Sequence, residues 1–161
     1  MSGMYEESIR VPMIVADPRA PKAQRGAKRD EMALNIDIAP TILDMAGVEI
    51  PKEMDGMSLK PLVMGKSPQW RSHFFYDHHY FVSTNPDNHI PRTEGVRTER
   101  WKFVTYTDHP EYVELFDLKN DPLEERNLAT DEKHKDALAE MKALYAREVK
   151  RLPPALPGGK K

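Results

Sequence analysis

Short segments rich in aromatic and β-branched residues alternate with polar turns between residues 70 and 117. Such segments favour β-strands. Because the connections between them are short, we predict an antiparallel meander. Alternation along the most regular segment separates two faces, with Trp101, Phe103 and Thr105 on one and Lys102, Val104 and Tyr106 on the other. The predicted strand segments are Phe74 to Tyr76, Tyr80 to Val82, Gly95 to Thr98, Trp101 to Tyr106 and Tyr112 to Asp117.

A helical period of apolar residues follows these segments and ends near residue 151. Thr130 is predicted to cap the start of this helix, and the basic residues Lys150 and Arg151 suit the negative end of its dipole. We expect the apolar stripe of the helix to pack on one face of the sheet. The stripe consists of Ala137, Leu138, Met141, Leu144, Tyr145 and Val149.

The first third of the chain contains an apolar run for which the neighbouring sequence offers no partner. Val11 to Ala16 has the composition of a short buried strand, and buried strands usually belong to a sheet with several neighbours. A polar loop follows at residues 17 to 31. Further on, Pro40 in the first turn and Gly47 at the end favour a helix with Asp37 as its cap. The apolar stripe of that helix is Ile38, Ile42 and Met45.

The composition excludes several classes of protein. The chain has 161 residues, with 24 Lys and Arg against 26 Asp and Glu, whereas proteins that bind nucleic acids carry a basic excess. It has no cysteine, so disulfides and thiolate metal sites are excluded. No apolar run approaches the roughly 20 residues that span a bilayer, and a membrane is not an expected partner. The sequence shows no export signal and leaves the localisation unknown.

Three groups of residues, spread over nearly the whole chain, form a recognisable series. The first is Tyr5-Glu6-Glu7-Ser8-Ile9-Arg10-Val11-Pro12. The second is Asp37-Ile38-Ala39-Pro40-Thr41-Ile42-Leu43-Asp44-Met45-Ala46-Gly47, followed by Asp55-Gly56-Met57-Ser58-Leu59. The third is Gly95-Val96-Arg97-Thr98 with Lys102, then Glu114-Leu115-Phe116-Asp117-Leu118, Asp121-Pro122, Glu125 and Asn127-Leu128-Ala129. In this order they resemble the C-terminal part of the sulfatase family, within the alkaline-phosphatase-like superfamily.

The resemblance implies a fold and a division of the chain. In that family a large α/β domain is followed by a small four-stranded antiparallel sheet with a helix packed on it. The fold class implied is α/β for the family and α+β for this fragment. Residues 1 to 65 would be the last elements of the large domain, residues 66 to 152 the small sheet and helix, and residues 153 to 161 a disordered tail. The sheet partners of Val11 to Ala16 would then come from upstream sequence.

The resemblance also implies chemistry that this chain lacks. Sulfatases use a Cys or Ser in the pattern C/S-x-P-x-R, oxidised to formylglycine, together with a metal that is usually calcium. This chain has no cysteine, and Ser67-Pro68-Gln69-Trp70-Arg71 has its proline one place too early. The lysine implied shortly before Tyr5 would fall at about Met1. We predict no catalytic residue, metal ligand or cofactor in this chain, and expect calcium and formylglycine only in a full-length enzyme.

A histidine-rich stretch contains the best candidates for substrate contact. In the family that the chain resembles, the small domain sends a loop over the mouth of the active site. This implies His78, His79, His89 and Arg92 as residues that contact a sulfated sugar. An ordinary surface loop is an equally good interpretation of the same residues. A zinc site that adds His73 to the three histidines is disfavoured, since nothing fixes the ligand geometry.

Two other groups of charged residues are interpreted as structural. We expect Arg97 and Lys102 to form cross-strand pairs with Glu114 or Asp117, as is common in antiparallel sheets. The resemblance places the adjacent carboxylates Glu6-Glu7 near an active site, but adjacent residues do not naturally face one reacting centre. No direct catalytic role is therefore predicted for this pair.

Three functions remain open, in decreasing order of preference. In the first, the chain is the C-terminal part of a sulfuric ester hydrolase for aryl or carbohydrate sulfates. It would be inactive alone, and apolar surface exposed over residues 9 to 16 and 36 to 46 would favour self-association. In the second, it is a non-catalytic module that binds sulfated glycans or a protein partner. A phosphodiesterase or phosphatase of the same superfamily ranks lowest, because the motifs Asp55 to Leu59 and Leu115 to Leu118 look more like those of sulfatases.

Overall fold

The structure is a computed structural model that describes residues 4 to 78 and 92 to 152. In chain order the helices are α1 (Glu6–Ile9), α2 (Ile38–Ala46), α3 (Lys60–Val63) and α4 (Lys135–Arg151). The strands are β1 (His73–His78), β2 (Thr93–Thr98), β3 (Trp101–Tyr106) and β4 (His109–Asp117). None of the helices in the described part of the chain is long and apolar enough to cross a bilayer.

Contacts divide the chain into two compact units. The first unit joins the start of the chain, up to Val11, with the residues from His73 onward, and the second unit is Pro12–Ser72. The predicted division at residue 65 stays a prediction. The predicted tail, like the predicted strand from Tyr80 to Val82, lies outside the described residues.

The first unit contains the predicted antiparallel sheet, with its four strands hydrogen-bonded in chain order. The register aligns Phe75, Val96, Phe103 and Leu115 across the four strands. Directly opposed residues of antiparallel strands share a face, so this row is one continuous apolar stripe. The meander and the two faces predicted for β3 are therefore confirmed.

Helix α4 packs on this apolar row, as its own periodicity predicts. Met141 is buried in the same cluster, and the ring of Tyr145 lies 5.6 Å from that of Phe103. Val149, which the predicted stripe includes, remains 39% exposed, and its neighbour Glu148 is buried. Glu148 faces inward because His73 and Arg151 pair with its carboxylate, at 3.2 and 2.9 Å.

The predicted cap of α4 at Thr130 is wrong by one residue. A short 3₁₀ turn, Glu132–His134, precedes the helix, and the carboxylate of Asp131 accepts a hydrogen bond from the backbone N–H of Lys133. A carboxylate at this position satisfies an N–H group that has no partner within the turn and also interacts favourably with the helix dipole. Asp131 therefore takes the capping role expected of Thr130.

The second unit is organised around α2. This helix ends at Gly47, whose φ of 74° lies in the left-handed region that glycine adopts without strain. Asp37 stands at the start of α2 but caps no N–H group of the helix. Its buried carboxylate accepts hydrogen bonds from the N–H groups of Leu34 and Met57 and from the guanidinium of Arg71. The predicted helix is confirmed, and the predicted cap is instead the centre of a polar network.

The run from Val11 to Ala16 forms no strand in the described structure, so the buried strand predicted there is wrong for this chain. Val11 is 71% exposed and Ile14 is 91% exposed. The outer face of α2 is also open, with Ile38 at 50% and Ile42 at 61%. A strand needs hydrogen-bonding neighbours on at least one edge, and the described part of the chain provides none here. Apolar surface is therefore exposed where the sequence predicts it.

Candidate functional site

Two of the predicted substrate-contact residues, His78 and Arg92, lie at one end of the β1–β2 pair. His78 is the last residue of β1 and lies opposite Thr93, the first residue of β2. Arg92 immediately precedes β2 and is exposed, and its carbonyl accepts a hydrogen bond from the N–H of Thr107. The backbone thus brings His78 and Arg92 to the same end of the sheet. His79 and His89 lie outside the described residues.

Two buried polar atoms at this end have no hydrogen-bond partner among the described residues. They are Nε2 of His78 and the hydroxyl oxygen of Thr93, and the register sets these side chains on the same face. The imidazole stacks on the ring of Tyr76, with ring centroids 6.4 Å apart. Buried polar groups are normally satisfied, so an unpaired donor or acceptor is a candidate for contact with a ligand.

A cluster of buried charges occupies the sheet face opposite α4. The side chain of Lys102 is fully buried, and its ammonium lies 2.7 Å from a carboxylate oxygen of Glu6 and 2.7 Å from one of Glu124. It also donates a hydrogen bond of 2.8 Å to the carbonyl of Met4. Arg97 contacts the second oxygen of Glu6 at 3.1 Å. We call Glu6, Arg97, Lys102 and Glu124 the charged hub.

The charged hub is electrically balanced, with two cations and two carboxylates. Burial raises the pKa of Glu6, but hydrogen bonds from Lys102 and Arg97 outweigh this effect and hold the pKa below its usual value. Glu6 is therefore ionised at neutral pH, as its pairing with two cations requires. The contact of Glu124 Oε1 with the ammonium is an ion pair, because its alignment is outside hydrogen-bond geometry.

The partners predicted for Arg97 and Lys102 are wrong. Asp117 lies opposite Trp101 and therefore on the other face of the sheet, where its carboxylate pairs with Arg100. Glu114 is on the correct face, but its carboxylate accepts hydrogen bonds from the hydroxyl groups of two tyrosines, Tyr5 and Tyr106. The two cations do form ion pairs within the fold, as expected. Their partners are Glu6 and Glu124, which lie outside the strands of the sheet.

Sequence reasoning missed Glu124 entirely, although its neighbour Glu125 belongs to the recognised motif. Glu124 has a φ of 57°, which is unusual for a residue other than glycine. In this left-handed conformation its second carboxylate oxygen accepts a hydrogen bond of 2.5 Å from the N–H of Glu6. No local pattern signals this position, because the partners of its carboxylate, Glu6 and Lys102, are distant in the sequence.

The described residues offer no cage for a metal ion. Within residues 4 to 78 and 92 to 152, no three His, Asp or Glu side chains are grouped as ligands. The carboxylates of the charged hub already face cations, and calcium is bound by oxygen ligands that are free to approach it. These residues therefore do not fit calcium.

Similarity to known proteins extends over nearly the whole chain. A family model described as N-sulphoglucosamine sulphohydrolase, C-terminal, matches residues 2–151. An N-acetylglucosamine-6-O-sulfatase of Bacteroides thetaiotaomicron is 37% identical over 128 residues, which are 78% of this chain and 22% of that protein. An arylsulfatase of Clostridium perfringens is 31% identical over 146 residues, which are 90% of this chain and 28% of that protein.

A solved structure of a protein in complex with its substrate, D-glucosamine-2-N,6-O-disulfate, has the same fold. It matches with a TM-score of 0.83 and 30% sequence identity, and the match covers 99% of this chain and 32% of the solved chain. This chain therefore spans less than a third of the length of each of these three proteins.

Proposed function

Because the chain belongs to the sulfatase family, of which it matches the C-terminal region, we propose that it supplies the C-terminal part of a sulfuric ester hydrolase. The substrates would be carbohydrate or aryl sulfates, in keeping with the two curated relatives. One observation carries this proposal: 99% of the chain matches a solved protein whose complex contains a disulfated glucosamine.

In this proposal the chain alone does not hydrolyse sulfate esters. It has no cysteine, and none of its serines stands in the nucleophile pattern of the family. The nucleophile, calcium and the residues that hold the sulfate group would belong to the portion that precedes the matched region in a complete enzyme. The contribution of this chain is a folded support and part of the rim of the substrate pocket.

The rim is assigned to the end of the β1–β2 pair. Arg92 is exposed there, and a guanidinium can donate two hydrogen bonds to one sulfate or to neighbouring sugar hydroxyls. The unpaired Nε2 of His78 supports a hydrogen bond to the same ligand, provided that the ligand or a local rearrangement reaches it. His79 and His89 are included in the proposed rim on the resemblance alone.

Exposed apolar surface supports the idea that this chain packs against another polypeptide portion. Ile14, and Ile38 and Ile42 on α2, are all at least half exposed. The remaining portion of a sulfatase, which accounts for more than two thirds of the relatives, is the proposed partner. Without it, the same surface is expected to cause self-association.

The direct test compares this chain with a longer chain in which the preceding portion of a sulfatase is restored. Both are assayed with an aryl sulfate and with glucosamine-6-sulfate, with calcium added. Activity in the longer chain only is the expected result. Activity in the short chain would contradict the proposal, and so would a longer chain that hydrolyses phosphonate or phosphate esters in place of sulfate esters.

The alternative function, a non-catalytic module that binds sulfated glycans or a protein, is tested with the short chain. Calorimetry with disulfated glucosamine measures binding for the parent chain and for His78→Ala, Arg92→Ala and the control Arg126→Ala. Micromolar binding by the short chain, lost in Arg92→Ala and retained in Arg126→Ala, would favour the alternative. Arg126 is a suitable control because its side chain is also exposed and its ion pair, with Asp131 at 3.2 Å, is local.

A further inference from the structure

Lys102 is a charged side chain in a fully buried position of β3. Removal of an ammonium group from water is strongly unfavourable unless counter-charges replace the lost hydration. Burial of the Lys102 ammonium is less favourable still because Arg97, a second cation, lies directly opposite it on β2. Like charges that face each other across two strands repel. The sheet itself supplies no carboxylate to this pair, so both cations depend on residues from elsewhere.

One of the two carboxylates comes from the segment Met4–Ile9, which we call the strap. The strap contains α1, a single turn of four residues. A turn of this length is not stable by itself in water, since helix nucleation is unfavourable. Contacts with the sheet must therefore hold it.

Four contacts made by the strap are independent of its own helical hydrogen bonds. The carbonyl of Met4 and the carboxylate of Glu6 both face the ammonium of Lys102. The N–H of Glu6 donates to Glu124, and the hydroxyl of Tyr5 donates to Glu114 at 3.1 Å. Two of these four contacts converge on the ammonium of Lys102, and all four join residues that are more than 90 positions apart in the sequence.

The space beside the charged hub is shaped for the strap as well. Met4 is buried, and a Cβ atom added at Gly95 would lie 2.5 Å from its sulfur and overlap the carbonyl oxygen of Phe103. Glycine at this position therefore allows the methionine to lie flat on the strands. Gly95 leaves space for Met4, and the charge of Lys102 attracts Glu6, so both residues favour contact between the strap and the sheet.

We propose that Lys102 is a positioning residue: through the charged hub it anchors the strap to the sheet and fixes where the preceding chain meets the first unit. The inference rests on the proposed function in one respect, since the catalytic portion of a complete sulfatase would enter through the strap. In that enzyme the strap connects the catalytic portion to the same sheet that carries His78 and Arg92. Lys102 thus sets the position of the rim relative to the reacting groups.

The test of anchoring uses hydrogen exchange in the 161-residue chain, and does not depend on activity. The reporters, which we call the strap amides, are the N–H groups of Ser8 and Ile9 and of Arg10, the residue that follows the strap. All three donate hydrogen bonds to the carbonyls of Tyr5 or Glu6 within the strap. In Lys102→Met their exchange should accelerate about tenfold or more, the factor that corresponds to one lost charge-assisted hydrogen bond. Amides of β3 and α4 should accelerate much less.

Two further variants keep the test decisive if Lys102→Met does not fold. Glu6→Gln removes one charge from the strap side of the charged hub, and Lys102→Arg retains the cation. Glu6→Gln should accelerate the strap amides, and Lys102→Arg should restore most of their protection. The control Lys60→Met breaks the ion pair with Asp44 in the second unit and should leave the strap amides unchanged.

Unchanged strap exchange in both Lys102→Met and Glu6→Gln would overturn the proposal. Equal acceleration of the amides of the strap, β3 and α4 would overturn it as well, because that result describes global destabilisation without specific anchoring.

A second measurement separates positioning from substrate contact in the longer, active chain. Lys102→Met should lower kcat with little change in KM, whereas Arg92→Ala should mainly raise KM. A change in KM alone for Lys102→Met would contradict positioning. If the longer parent chain shows no sulfatase activity, the proposed function fails, while the exchange experiment still decides whether Lys102 anchors the strap.

Discussion

Arg71 holds the buried carboxylate of Asp37 with both of its terminal nitrogens, at 2.5 and 2.6 Å. A two-point contact of this kind uses the planar geometry of the guanidinium, which lysine does not reproduce. The same carboxylate also accepts hydrogen bonds from the N–H groups of Leu34 and Met57. Asp37 therefore connects the start of α2 with two loops and with the end of the second unit.

Replacement of Arg71 by Ala should lower the free energy of unfolding by about 3 kcal/mol, because it leaves a buried carboxylate without its counter-charge. Arg71→Lys should recover only part of this loss. Urea denaturation followed by tryptophan fluorescence measures the effect. The control is Arg25→Ala, which removes a single exposed hydrogen bond to the carbonyl of Pro18 and should change stability by less than about 0.5 kcal/mol. Equal effects of the two changes would contradict the role assigned to Arg71.

The pair formed by Arg100 and Asp117 predicts a loss of stability in acid. Hydrogen bonds from Arg100 hold the pKa of the Asp117 carboxyl at about 2, below its usual value of 3.8, against the opposing effect of burial. A depressed pKa stabilises the folded state fully above the unfolded value, and this stabilisation is lost as the pH falls toward 2.

We expect the loss to amount to about 1 kcal/mol between about pH 4 and pH 2, since solvent screens the half-exposed Arg100. Urea denaturation at several pH values measures it, with Asp117→Asn as the comparison. The asparagine variant should be less stable at neutral pH and should lose less stability on acidification. Parallel pH profiles for the two proteins would show that Asp117 is not the group responsible.

Substitution by alanine should destabilise the fold to different extents at two glycines of the second unit. A Cβ atom at Gly56 would overlap the carbonyl of Ile36, which is backbone and cannot rotate away. Gly56→Ala should therefore cost about 2 kcal/mol or more. At Gly47 the Cβ atom would meet open space, and only the positive φ is unfavourable, so Gly47→Ala should cost about 1 kcal/mol. Thermal or urea denaturation ranks the two variants, and a reversed order would be inconsistent with this packing.

The exposed apolar surface predicts concentration-dependent association of the isolated chain. Ile14→Glu and Ile42→Glu place a charge on that surface and should shift sedimentation velocity profiles toward the monomer. Leu123→Glu is the matched control, because Leu123 is also exposed, at 66%, but belongs to the first unit and not to this surface. A parent chain that is monomeric at all concentrations, or an equal effect of Leu123→Glu, would contradict the proposed role of the surface.

Local sequence patterns determined the secondary structure of the first unit. The alternation in Trp101 to Tyr106 follows directly from the two-residue period of a strand, and the stripe along α4 follows from the helical period. The histidine-rich stretch was harder to interpret, because the types of its residues identify hydrogen-bonding groups but not their partners. The structure brings His78 and Arg92 to one end of the sheet, and their contact with a substrate stays a proposal.

Only the tertiary structure determined which groups Arg97 and Lys102 pair with. The sequence identified Arg97 and Lys102 as members of a recognisable motif, and cross-strand pairing would have been sufficient to neutralise them. The fold instead brings Glu6 to Arg97 from 91 residues away and the carbonyl of Met4 to Lys102 from 98 residues away. Pairing energies of this kind depend on burial and distance, which periodicity does not encode. The sequence by itself therefore determined the antiparallel sheet, the helices α2 and α4 and the family, and the fold determined that the motif residues Glu6, Arg97 and Lys102 join Glu124 in the charged hub.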